Sequence, residues 1–154
     1  MALSDVLIKR LIEHGEIEIT PFEESHLTPA GYDLGSAEDI TLKPGEHRLV
    51  ATHEKVKLSP KVLGILHIRS SFAREGLFAS LALVDPGFKG QLTIALLNTS
   101  KANLRINRGE SFLQLSLIRM ASGVEKPYDG AYQDSAGIVE SKRDDYAKKS
   151  SNLI

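Results

Sequence analysis

Apolar side chains recur at near-helical spacing only close to the start of the chain. Leu3, Val6, Leu7, Leu11 and Ile12 follow that spacing, Ser4 and Asp5 supply N-cap chemistry, and Gly15 is a suitable stop, so the pattern predicts one short N-terminal helix. The period then changes. Glu16-Ile17-Glu18-Ile19-Thr20 alternates polar and apolar residues, as a half-buried strand does, until Pro21 ends the run. Beyond it, short apolar runs are separated by turn residues. Lys43-Pro44-Gly45-Glu46 divides Ile40–Leu42 from Arg48–Ala51, and Ser59-Pro60-Lys61 divides Lys55–Leu58 from Leu63–Ile68. Asn107-Arg108-Gly109-Glu110 divides Ala102–Ile106 from Ser111–Met120. Many short strands without alternating helices predict an all-β sandwich, jelly roll or barrel. One segment departs from this pattern: Ser70 or Ser71 is placed to cap a single helical turn ending at Gly76.

Two further features change this picture from architecture towards chemistry. Asp85 lies between the apolar run Leu81–Val84 and the breaker Pro86-Gly87, which predicts a tight turn carrying one carboxylate. The following run from Gln91 to Asn98 contains no acid and no histidine. From Lys126 onward the sequence becomes polar, with Tyr, Ser, Asp and Lys. Residues 126–154 are therefore expected to form a tail, either an ordered lid or an unstructured end, after a β domain of residues 1–125.

Composition narrows the chemistry. A chain of 154 residues with 42% hydrophobic and 25% charged content is expected to form one domain with its own core. A formal net charge of -1 gives no basic footprint for nucleic acid and no cationic face for a membrane. Without cysteine there is no disulfide, no thiolate metal ligand and no thiol nucleophile. The five histidines are scattered, with no H-x-x-x-H spacing, so a structural zinc site is not expected. No apolar run is long enough to span a membrane and no secretory h-region precedes Asp5, so the expected location is cytoplasmic.

Arg69-Ser70-Ser71, at the end of an apolar strand, is the best anion site. Arginine offers a planar donor fork, and the hydroxyls add neutral donors. A surface arginine beside a capping serine fits the same tripeptide. Asp33, just past Pro29-Ala30-Gly31, reads equally as a cap, and Gln114 reads equally as the solvent face of an alternating strand.

Taken in order, however, these segments resemble the trimeric dUTP diphosphatase and dCTP deaminase superfamily. Thr28 through Ile40 is similar to the first family motif, Gly64 through Ala73 to the second, Val84 through Gly90 to the third, and Arg108 through Gln114 to the fourth. The opening Leu3-Ser4-Asp5, Ile17 through Phe22, and the tail residues Tyr128 and Tyr132-Gln133 resemble dCTP deaminases. The resemblance implies a distorted jelly roll or β-barrel of short, mainly antiparallel strands. It also implies a homotrimer with active sites between subunits, and a pyrimidine deoxynucleoside triphosphate bound with Mg²⁺.

The same resemblance assigns expected roles. Asp85 corresponds to the water-activating base of the diphosphatases. Arg69, Ser70, Ser71 and Gln114 match positions that grip phosphate, with Asp33 and Arg74 supporting them and Asp33 placed to orient the arginine or a metal-bound water. Phe88 falls where an aromatic ring, usually tyrosine in the diphosphatases, packs on the deoxyribose. The base would be read largely by backbone groups of the expected hairpin from Gly90 to Asn98, which includes the expected substrate-binding residues Gln91 and Asn98, with weak dependence on side-chain identity there. Tyr128, Tyr132, Gln133 or Lys142 would supply lid contacts. In the deaminases a glutamate ten positions beyond the aspartate shuttles the proton for ring attack; here that position is Ala95. Ala131 and Ser135 replace the usual lysine and glutamine of the deaminase tail, and the glycine-rich C-terminal motif of dUTP diphosphatases is absent. The expected activity is therefore conversion of dUTP to dUMP and diphosphate. The alternatives are dCTP deamination, dCTP hydrolysis or a bifunctional deaminase–diphosphatase, and a nucleotide-binding or regulatory protein without catalysis.

Overall fold

A computed structural model describes residues 1–143; the last part of the expected tail, 144–154, lies outside the described residues. Helix α1 spans Asp5–Glu13, with Ser4 at its N-cap and Gly15 following in the left-handed region at φ 69°. Its inward stripe is the one the spacing suggested with Ile8 added and Val6 left out. Ile8 is fully buried and Leu11 nearly so, with Leu7 and Ile12 packed alongside. Val6 faces out at 60% exposure, and Leu3 lies ahead of the helix, its N–H donating to the carbonyl of Leu117.

Among the described residues eleven strands follow: β1 (Ile17–Thr20), β2 (Leu27–Thr28), β3 (Gly31–Gly35), β4 (Ile40–Leu42), β5 (His47–Leu58), β6 (Val62–Ile68), β7 (Leu77–Ser80), β8 (Leu83–Val84), β9 (Lys89–Asn98), β10 (Leu104–Ile106) and β11 (Ser111–Arg119). A sheet ordered β1-β5-β9-β7 stands with another ordered β2-β3-β11-β6-β8, and β4 pairs with β10. The ladders between these strands are antiparallel. The expected all-β jelly-roll class is the observed one. Alternation along the strands sends Leu92, Ile94 and Leu96 of β9 and Leu113, Leu115 and Leu117 of β11 into a shared core, and the register shift between Ser111 and Leu113 lets the adjacent Phe112 join them.

Several boundaries differ from the sequence reading for physical reasons. The runs Arg48–Ala51 and Lys55–Leu58 are one strand, β5, whose register against β9 shifts between Ala51 and Lys55; a bulge looks like a break when only alternation is read. Within Leu81–Val84 only Leu83 and Val84 are strand. Gly90 to Asn98 is no hairpin but the body of β9, paired with β5 on one side and β7 on the other. Helix α2 (Ser70–Arg74) is capped by Arg69, not by serine, so Ser70 and Ser71 form its first turn with their side chains exposed.

Among the described residues no helix is long and apolar enough to cross a membrane.

Candidate functional site

The Asp85 turn closes through a hydrogen bond from the Phe88 N–H to the Asp85 carbonyl at 3.0 Å. Pro86 sets the first central φ and Gly87, at φ 93°, takes the second, which is the pattern of a type II turn. The Asp85 carboxylate is exposed at the mouth of a cavity of about 340 Å³ shared with Phe88, Leu92, Tyr128 and Tyr132. Gly87 is needed for a second reason: a Cβ there would lie 2.6 Å from the Cβ of Pro127 and 2.8 Å from the Tyr128 nitrogen. The tail rests directly on the turn, and Tyr128 N–H donates to the Pro86 carbonyl at 2.8 Å. Gly87→Ala is therefore expected to cost about 1–3 kcal/mol and to release the tail. Thermal unfolding together with limited proteolysis near residue 126 checks this; an unchanged melting temperature and digestion pattern would refute it.

The strand after the turn supplies a second wall. On β9 the outward set Gln91, Thr93 and Ala95 lines a cavity of about 530 Å³ with His47, Leu49 and Ser80. Val139 and Ser141 of the tail cover its other side. None of the residues lining this cavity is an acid. The histidine was missed by reading β9 alone. It comes from β5, where Leu49 pairs with Ala95 and His47 lies two residues earlier on the same face. Phe88 is only 7% exposed, lines both cavities, and has its ring centroid 5.8 Å from that of Tyr128.

Three expected substrate contacts are instead spent within the fold. Asn98 is fully buried; its amide donates to the carbonyls of Leu42 and Ala102 and accepts from the Ser100 N–H, so its expected role in reading the base is corrected to a structural one. Gln133 accepts from the Lys89 N–H and donates to the carbonyls of Gly87 and Tyr128, which fastens the tail to the turn. Gln91 donates to the Thr52 carbonyl and accepts from the Gly137 N–H, both at 2.7 Å. The Gln91 backbone N–H also donates to the Ser135 carbonyl, so this stretch of β9 backbone is held by the tail. Tyr132 accepts from the Lys142 N–H, while the Lys142 ammonium donates to the Ala131 carbonyl and lies 5.7 Å from the Tyr132 ring centre.

A separate cavity of about 470 Å³ holds the expected anion site. In the β3–β11–β6 ladders Gln114 stands opposite Asp33 on one side and His67 on the other, which sets Asp33, Gln114 and His67 in one cross-strand row. Arg69 and Ser70 follow beyond β6, and Thr28 closes the edge, its hydroxyl accepting from the Gln114 amide at 2.9 Å. Thr28 and His67 were not singled out from sequence; His67 shares the alternating face that ends two residues later at Arg69. Arg69 Nη1 lies 3.2 Å from Asp33 Oδ2 and donates to the Ser111 carbonyl at 3.4 Å. Its side chain is 44% exposed beside a nearly buried Asp33. Ser71 and Arg74 are exposed on α2.

Burial pushes the Asp33 carboxyl above its ordinary range, with Arg69 and His26 drawing it partly back. Burial likewise raises Glu54, which is 1% exposed, against hydrogen bonds from backbone N–H groups and the nearby His53 and His26. An acid whose folded value is raised favours the native state at low pH, and that contribution is lost as pH rises through the folded value. Glu54→Gln is therefore expected to raise the melting temperature at pH 7, with the gain vanishing below the ordinary value of 4.5. A pH series of thermal melts tests this, and a loss of stability at neutral pH would refute it.

A family model described as dCTP deaminase-like matches residues 35–120. The dCTP deaminase of Thermococcus kodakarensis is 43% identical over 143 residues, covering 83% of this chain and 92% of the relative. A probable deoxyuridine 5'-triphosphate nucleotidohydrolase of Sulfolobus islandicus rod-shaped virus 1 is 36% identical over 159 residues, covering 94% of this chain and all of the relative. Among solved structures, the native EIAV dUTPase superposes with a TM-score of 0.59 at 26% identity, covering 75% of this chain and 96% of that one. With the matched segment running from the end of β3 through β11, the chain belongs to the dCTP deaminase-like family.

Proposed function

We propose that the chain hydrolyses dUTP to dUMP and diphosphate, with Asp85 activating the water. Family membership supports an enzyme acting on pyrimidine deoxynucleoside triphosphates, since relatives named for dCTP and for dUTP both align along most of its length. The choice between ring and phosphorus rests on one observation: Ala95 faces a cavity with no acid in its lining, while Asp85 presents a carboxylate on the adjoining turn. A methyl group cannot carry a proton to a leaving amine. A carboxylate can take one from water as the water oxygen attacks the α-phosphorus. The bond from that phosphorus to the bridging oxygen breaks, and diphosphate leaves with the electron pair. Arg69, Ser70, Ser71 and Gln114 would hold phosphate oxygens, with Asp33 orienting the Arg69 fork and Arg74 supporting it. Phe88 would pack on the deoxyribose, and Tyr128 and Tyr132 would close over it.

Among the described residues no group of His, Cys, Asp and Glu side chains is placed to cage a metal, and Asp33 already partners Arg69. Mg²⁺ would therefore ride on the triphosphate and water, where it supplies charge neutralisation. Asp85 and Arg69 line separate cavities of one chain, which supports a homotrimer whose sites are completed between subunits. A cytoplasmic place and a tail serving as lid belong to the same reading.

Deamination of dCTP has specific observations in its favour, the relatives named dCTP deaminase and the His47 ring in the Ala95 cavity. Diphosphate release from dUTP and ammonia release from dCTP are to be measured in parallel, for the wild type and for His47→Ala. Diphosphate without ammonia, unaffected by the substitution, upholds hydrolysis. Ammonia that disappears with His47 transfers the assignment to deamination. A nucleotide-induced rise in melting temperature with neither product would leave a binding protein.

A further inference from the structure

The proposed reaction leaves one almost fully buried carboxylate unused. Glu54 sits where β5 shifts register against β9, in the stretch Thr52-His53-Glu54, which leaves the ladder between Ala51 and Lys55. The Thr52 hydroxyl braces this stretch by donating to the Glu54 carbonyl at 2.8 Å. The side chain then crosses to the other sheet, where Glu54 Oε2 accepts from the Gly35 N–H at 2.9 Å. Gly35 ends β3, opposite Ser111, at the place where the β3–β11 register shifts. The carbonyl of Ser111 and the carboxylate of Asp33, two residues before Gly35, are the acceptors around Arg69 Nη1. One buried hydrogen bond thus pins the backbone that carries both.

A histidine stands beside it. The His26 ring lies between two acids, with Nδ1 3.7 Å from Glu54 Oε1 and Nε2 3.7 Å from Glu23 Oε2. Its Nδ1 is buried without a hydrogen-bond partner, and the ring sets its edge against Tyr32 with centroids 5.9 Å apart.

We propose that Glu54 is a positioning residue for Arg69: through the Gly35 N–H it holds β3 and its bulged partner so that the guanidinium fork faces the phosphate cavity. This rests on the reading of Arg69 as a phosphate grip. Glu54→Gln keeps an acceptor for the Gly35 N–H, Glu54→Ala removes it, and Glu54→Asp keeps the charge while drawing it back by one methylene. Binding of inorganic triphosphate by calorimetry and the KM and kcat for dUTP are measured on the full-length chain and each folded variant. Alanine and aspartate are expected to weaken triphosphate binding and raise KM by roughly tenfold, with kcat changing much less and glutamine restoring both. Either folded variant, alanine or aspartate, binding triphosphate like the wild type overturns the proposal, as does failure of glutamine to rescue. A wild type that binds no triphosphate removes the grip itself. A wild type that binds it but hydrolyses nothing refutes only the activity.

Discussion

Replacing Asp85 by asparagine is expected to abolish diphosphate release while leaving nucleotide affinity near the wild-type value. The amide keeps the size of the side chain and the turn beneath it, because the turn is closed by the Asp85 backbone carbonyl and not by its carboxylate. What disappears is the proton acceptor, and loss of a positioned base lowers rates by about 10²–10⁴-fold. The phosphate-gripping residues are untouched, since Arg69 and its partners line a different cavity, and the isosteric amide leaves the packing around Phe88, Tyr128 and Tyr132 as it was. The fall should therefore appear in kcat with KM little changed, read by single-turnover hydrolysis and by titration with a non-hydrolysable dUTP analogue. Full activity in the variant would remove Asp85 from the mechanism.

Arg69→Lys should be nearly as damaging despite conserving charge. Nη1 of the arginine is held between Asp33 Oδ2 and the Ser111 carbonyl, which leaves the rest of a 44%-exposed planar fork directed to the cavity. Lysine has one nitrogen for all three tasks and lacks the fork that matches two phosphate oxygens at once. Losing one charge-assisted hydrogen bond of about 1.5–3 kcal/mol corresponds to roughly a 10–100-fold drop in kcat/KM for dUTP. Because Asp33 is nearly buried and depends on this cation, the variant should also melt at lower temperature. Wild-type kcat/KM in the lysine variant would show that Arg69 contributes only charge.

The all-β class was legible because strand alternation and turn chemistry are local. β1 appears one residue shorter than the alternating run Glu16–Thr20, and the Asp85 turn forms with the predicted residues. Reading failed where tertiary contacts decide. Val6 and Ile8 are equally apolar in sequence, and only the packing of α1 on the sheets determines that Ile8 is buried and Val6 is not. The Asp33–Gln114–His67 row exists only through two strand registers, which a linear pattern does not contain. Asn98, Gln91 and Gln133 looked like substrate contacts because an amide can serve either ligand or backbone; neighbours distant in sequence use up those groups. His47 was overlooked for the converse reason, since it enters the Ala95 cavity from the facing strand.

The bulge in β5 carries a consequence for how this chain can vary. Thr52 holds the Gln91 side chain through its carbonyl and the Leu92 N–H through its hydroxyl, while Glu54 reaches Gly35 on the other sheet. Two residues of one short stretch, Thr52 and Glu54, therefore tie down the strand beneath Ala95 and the strand bearing Asp33. Side chains alternate along a strand, so adding or deleting one residue between Ala51 and Lys55 would turn Thr52 or Glu54 to the wrong face and disturb both cavities together. Exposed loops without framework contacts change length at modest cost. This internal stretch cannot, and a natural or engineered relative that keeps the activity should keep its residue count here even where its loops have drifted.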